Sequence, residues 1–96
     1  MNIATIDLRK CKNAMEIHAA IQQSFGLPAW YGKNADALWD MLTGYIELPV
    51  TICLFLPQSS SASVNDEIKR ILQVFKDAAD SDYDITLLNG DKDLFE

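Results

Sequence analysis

Several residue types are scarce in this chain, and each scarcity closes off a class of protein. Cysteine occurs twice in 96 residues, at Cys11 and Cys53, with no CxxC spacing, so no disulfide framework or thiol redox motif is encoded. Cys53 sits inside an apolar run and reads as a small core residue, whereas Cys11 lies among Arg9, Lys10 and Lys12, neighbours that would lower its thiol pKa. Both are read as reduced, structural thiols. The single histidine, His18, reads as a solvated bystander on its helix. The longest unbroken apolar run, Ile52–Leu56, falls far short of the ~20 residues that span a bilayer. The N-terminus "MNIATIDL" has no basic stretch leading into an apolar one, so no secretory signal is read and the expected setting is the cytosol. Bases are also few: 8 Lys and Arg against 14 Asp and Glu leave a net charge of −6, which argues against a nucleic-acid partner.

What is present describes one globular domain, residues 1–96, with the last residues from about 90 read as a frayed tail. Hydrophobic residues make up 49% and charged ones 23%, with only 4 glycines and 3 prolines, a composition that excludes disorder over the whole chain. Charge is segregated. Acids cluster at Asp36 and Asp40 and again at Asp77, Asp80, Asp82 and Asp84, while bases gather at Arg9–Lys12 and at Lys69 and Arg70. Such an arrangement steers a charged partner.

Short apolar runs alternate with amphipathic ones. Ile3–Leu8 reads as a buried strand. Asn13, with Glu16 three residues on, opens a helix carrying Ile17, Ala20, Ile21, Ser24 and Phe25, and Gly26 stops it. After a loop broken by Pro28 and Gly32, a second helix runs from about Asn34 to Thr43 and ends at Gly44. "VTICLFL" after Pro49 is apolar throughout, as a strand covered on both faces would be. "PQSSSAS" reads as a serine-rich loop. From Val64, the spacing of Ile68, Ile71, Leu72, Phe75 and Ala79 predicts the longest amphipathic helix, and "YDITLLN" a last strand. With no short hairpin turns between strands, the pattern implies an α/β fold: a three-stranded parallel sheet packed with helices in two or three layers.

The segment "PAWYGKNADALWDMLTGY", Pro28–Tyr45, serves neither a core nor a solvated helix alone. At 100° per residue, Asp40 and Thr43 fall within about 40° of Asp36 on the second helix. Trp39 lies at the edge of that strip, roughly 60° from Asp36, and Leu38, Leu42 and Ala35 lie opposite, toward the core. Trp30 and Tyr31 precede the strip and Tyr45 follows it. Core packing accounts for one or two of these four aromatics but not for four flanking a carboxylate pair. Aromatics around a charged centre mark a protein–protein hot spot.

The stretch "LPAWYGKNADALWDMLTGYIELP", with "ILQVFKDA" and "DITLLN" after it, resembles the barstar family, intracellular inhibitors of the secreted ribonuclease barnase. The likeness covers nearly the whole chain with elements in the same order. It implies inhibition by occlusion: the second helix and the loop before it plug the ribonuclease active site, and the aspartate matching Asp40 takes the place of the substrate phosphate. Family contact positions fall on Trp30, Asn34, Ala35, Asp36, Trp39, Thr43, Gly44 and Tyr45, and Tyr31 is counted with them. Asp77 matches a contacting glutamate of the last helix and is shorter. Trp30 stands where the family has tyrosine and Tyr45 where it has tryptophan, which reshapes the aromatic surface. Ser81 replaces a further acid, and "PQSSSAS" replaces a short helix. The bond matching Leu48–Pro49 is cis in the family. The partner implied is a basic ribonuclease or ribonuclease toxin domain in a 1:1 complex, with no cofactor, nucleic acid or membrane.

Two other readings compete. A domain of this family could serve a non-nuclease partner, or Asp36 and Asp40 could hold a divalent metal. Two carboxylates on a regular helix supply too few oxygens for Mg²⁺ or Ca²⁺. An enzyme would need a nucleophile and base that this pair lacks.

Overall fold

The alternation of runs becomes six elements in a computed structural model, which describes residues 2–57, 60–81 and 84–89. They are β1 (Asn2–Asp7), α1 (Ala14–Phe25), α2 (Ala35–Gly44), β2 (Val50–Phe55), α3 (Ala62–Asp80) and β3 (Ile85–Asn89). The strands form one parallel sheet in the order β1-β2-β3, in a register that sets Ala4 beside Ile52 and Ile52 beside Leu87. The fold class read from the sequence holds.

Local chemistry sets the helix ends. The Asn13 carboxamide oxygen accepts from the Glu16 N–H at 2.9 Å, and the Glu16 carboxylate reaches back to the Lys12 N–H at 2.7 Å. Gly26 closes α1 in the left-handed region, φ 66°, with Gly26 and Leu27 N–H groups returning to Gln23 and Gln22 carbonyls. Helix α3 starts at Ala62, two residues before Val64, because the Ser61 hydroxyl accepts from the Val64 N–H. Part of the expected serine-rich loop is thus helical: its serines cap the helix. The Leu48–Pro49 bond is cis. The tail from 90 on, expected to fray, lies outside the described residues.

Helices α1 and α3 pack on the strands beneath them and on each other, and α2 packs on α3. The sheet has one covered face. In β2, Val50, Ile52 and Leu54 are buried while Thr51, Cys53 and Phe55 are only half so. In β1, Ala4 and Ile6 are buried while Ile3, Thr5 and Asp7 are exposed. The continuous apolarity of "VTICLFL" therefore does not mean two covered faces, and the fold has two layers. Arg9 shields part of the open face. Its guanidinium lies 4.6 Å from the Phe55 ring centroid and forks onto the Asp7 carboxylate at 2.9 and 2.8 Å. Those bonds hold the Asp7 carboxyl down at about 2.

Three single-residue expectations fail. His18 is 1% exposed, inside the core rather than in solvent. The Cys11 thiol is pushed up, not down, because burial and the carboxylates of Glu16 and Asp7 outweigh its basic neighbours. Cys53, read as a small core residue, is instead half-buried, because odd positions of β2 face the open side of the sheet; both thiols are free. Among the described residues no helix is long and apolar enough to cross a membrane.

The inner side of α2 is fixed by Leu38 and Leu42, which are fully buried, while Asp36 is exposed. Leu42→Ala is expected to cost about 2–4 kcal/mol through an unfilled volume. Asp36→Ala should leave the urea midpoint nearly unchanged; a variant that unfolds would make this carboxylate structural.

Candidate functional site

The loop before α2 is built residue by residue. The Pro28 carbonyl accepts from the Tyr31 N–H at 3.0 Å and from the Gln22 carboxamide at 2.8 Å, which ties the loop to α1. Gly32 leaves room for the first turn of α2: a Cβ there would sit 3.1 Å from the Ala37 Cβ. Lys33 adopts φ 56°, a left-handed conformation costing a non-glycine residue roughly 1 kcal/mol. Asn34 then caps α2, accepting from the Ala37 N–H at 2.8 Å while its own amide donates to the Gly32 carbonyl at 3.2 Å.

This frame sends neighbouring aromatics in opposite directions. Trp30 is 68% exposed; Tyr31, expected among the contact residues, is 3% exposed and turned inward. Trp30 meets Tyr45, itself 51% exposed, edge to face at 6.1 Å, so the aromatics before and after α2 form one patch. Along α2, Asp36 and Asp40 are exposed, and Trp39 and Thr43 are half-buried, the Thr43 hydroxyl donating to the Trp39 carbonyl at 2.8 Å. Asn34 and Gly44 are exposed and Ala35 is half-buried. Asp77 is exposed on α3, the helix on which α2 rests, and accepts from the Gln73 carboxamide at 2.8 Å.

Neither Asp36 nor Asp40 forms an ion pair or side-chain hydrogen bond among the described residues. No cluster of three or more His, Cys, Asp or Glu side chains placed to hold a metal occurs among those residues either. A groove of about 500 Å³ opens beside Tyr45, between Ile3, Phe25, Ile46 and Glu47. The one hydroxyl of its serine, Ser24, is committed to the Thr5 carbonyl at 2.7 Å. Helix α2 thus carries two exposed carboxylates, without partners among the described residues, beside the exposed Trp30–Tyr45 pair.

Behind the loop lies a polar chain that the sequence reading missed. The Tyr31 hydroxyl lies 2.8 Å from His18 Nδ1, His18 Nε2 lies 2.6 Å from Glu67 Oε2, and Arg70 donates to Glu67 Oε1 at 2.9 Å. Glu67 is 9% exposed. Burial pushes its carboxyl up, but the bonds from His18 and Arg70 prevail and hold it below the ordinary value. Burial also pushes the Tyr31 hydroxyl up to about 12, with the Glu67 charge adding to it. Helical spacing did carry a signal. Taking Ile17 as zero, Ile21, Phe25 and His18 fall at about 40°, 80° and 100°, and Glu67 falls about 20° from Ala78 in the buried stripe of α3.

Fold and surface together define a class: a small two-layer α/β protein that presents a capped acidic helix. The comparisons specify it. The family model described as "Barstar (barnase inhibitor)" matches residues 1–89. The Bacillus subtilis (strain 168) protein named "Putative ribonuclease inhibitor YrdF" is 34% identical over 73 residues, spanning 76% of this chain and 80% of that protein. This chain belongs to the barstar family, whose members are inhibitors and not enzymes.

Tyr31→Phe removes the one side-chain partner of His18 Nδ1 among the described residues and should cost about 1–3 kcal/mol in urea melts, whereas Trp30→Ala should stay within about 0.5 kcal/mol. Glu67 has a lowered folded pKa, so its contribution is complete above the ordinary value of 4.5 and is lost as pH falls through the folded one. The stability gap between wild type and Glu67→Gln should therefore narrow in acid, read by urea melts from neutral pH to about pH 3.

Proposed function

We propose that this protein binds a basic, barnase-like ribonuclease one to one and closes its active site with α2 and the preceding loop. The Asp40 carboxylate stands in for the substrate phosphate. Trp30, Asn34, Ala35, Asp36, Trp39, Thr43, Gly44 and Tyr45 surround it, with Asp77 at the margin; Tyr31 supports them from inside. The observation that carries the reading is the state of Asp36 and Asp40, two carboxylates on a rigidly capped helix with no partner among the described residues.

A ribonuclease active site concentrates cationic groups to hold a phosphodiester, so an unpaired carboxylate at a fixed position offers it a ligand that cannot be cleaved. The net charge of −6 favours fast encounter with such a surface. The desolvated centre around Asp40 sets how slowly the complex dissociates. An inhibitor of this kind acts in the cytoplasm, against the cell's own ribonuclease or a toxin domain delivered by a competitor.

Capture on the purified protein, followed by a ribonuclease assay of what is retained, tests the partner class. A captured partner without ribonuclease activity would favour a binding module of another kind. Against the captured enzyme, inhibition should be competitive with RNA. Asp40→Ala should lose more than ~2 kcal/mol, over about thirtyfold in affinity, because it leaves the enzyme's cations buried and unpaired. That range is not independent of this family, since the barnase–barstar complex contributes to it. Asp40→Asn should lose most of the same energy. Asp77→Asn should chiefly slow association, and only at low salt. Asp40→Ala inhibiting at wild-type potency would end the phosphate-mimic reading.

A further inference from the structure

The chain Tyr31–His18–Glu67–Arg70 is larger than core packing requires. It joins three segments: the loop that carries Trp30, helix α1, and helix α3. We propose that Glu67 is a positioning residue, which acts through His18 to seat the Trp30-bearing loop.

The argument follows the protons. An ionised carboxylate only accepts, so at 2.6 Å from Glu67 Oε2 the His18 Nε2 must carry a hydrogen. The neutral imidazole that this proposal assigns to His18 has one N–H, so Nδ1 is then an acceptor and the Tyr31 O–H donates to it across 2.8 Å. Arg70 holds the other carboxylate oxygen, which fixes the orientation of Glu67 and keeps it charged. Remove the carboxylate, and nothing selects the Nε2–H form. In the other tautomer an Nδ1–H points at the Tyr31 oxygen, and the phenol hydrogen loses the one side-chain acceptor it has among the described residues. A buried donor without a partner is costly, so the loop is drawn out of its seat.

The seat matters because Tyr31 is joined directly to Trp30. The loop's other anchors, the Pro28 carbonyl and the Asn34 side chain, lie before and after Tyr31. Between Pro28 and Asn34, Tyr31 is the residue buried in the core. Helix α3 thereby supports both halves of the candidate face: α2 by packing, and the loop through Glu67 and His18.

The loop seat can be read in the free protein. Nitrogen-15 spectra of the wild-type imidazole should show the Nε2–H tautomer alone; an Nδ1–H form would overturn the proposal without any variant. In Glu67→Leu the two forms should mix, and the Tyr31 and Ala37 amides should exchange about tenfold faster relative to Ile52 in the central strand. Tyr31→Phe should loosen the same amides. The double variant Tyr31→Phe/Glu67→Leu should loosen them no further than Tyr31→Phe alone, since both act on one bond. Additive effects, or loop amides that change only in step with Ile52, would make Glu67 merely structural. If Glu67→Leu does not fold, the wild-type tautomer and Tyr31→Phe still decide.

The consequence for inhibition rests on the ribonuclease reading. With a basic ribonuclease that the wild type inhibits, Glu67→Leu should dissociate at least about threefold faster with little change in association. Unchanged dissociation from a loosened loop would overturn the positioning role. A wild type that binds no ribonuclease at all would instead overturn the functional reading, a result distinct from either.

Discussion

Three parallel strands in the order β1-β2-β3 require each connection to bring the chain back to the same end of the sheet. Crossovers of one hand that step in one direction return over the same face, and both do so here. That one-sidedness governs the rest. Helices α1 and α3 take the positions over the strands, and α2 packs on α3. The opposite sheet face is left to solvent and handled with Thr51, Thr86 and the Arg9–Asp7 pair over Phe55.

Carboxylates divide sharply between inside and outside. A buried charge is tolerated when every lone pair that matters is met, and Glu67 meets that condition with His18 on one oxygen and Arg70 on the other. Among the described residues no buried side-chain nitrogen or oxygen lacks a partner. Asp36 and Asp40, by contrast, have no side-chain partner among the described residues. The fold satisfies its internal polar groups and leaves these two free on a helix whose capping residue, Asn34, is fixed by two hydrogen bonds. Stability therefore does not depend on what those carboxylates meet, which leaves them available to a partner.

Most of the architecture was legible in the chain. Periodicity gave the type and order of all six elements, because an amphipathic helix and a buried strand repeat with different periods. Asn13, Gly26 and Asn34 marked helix ends because capping needs only groups within one turn. The exposed strip on α2 followed from the same local geometry. Where reading failed, burial in the tertiary structure had been left out of account. His18 was taken for a surface residue, although its place on the helical wheel beside Ile21 and Phe25 pointed inward. Cys11 was judged by its basic neighbours in the chain, whereas burial and the carboxylates of Glu16 and Asp7 decide its pKa.

By itself, then, the sequence determined the elements, their order and the acidic face of α2, all consequences of contacts within a few residues. Tertiary structure decided that Trp30 faces out and Tyr31 in, that Trp30 meets Tyr45, and that Glu67 holds His18. The physical reason is that a buried polar group takes whatever partner the fold brings within about 3 Å, and periodicity along one chain segment carries no record of that partner.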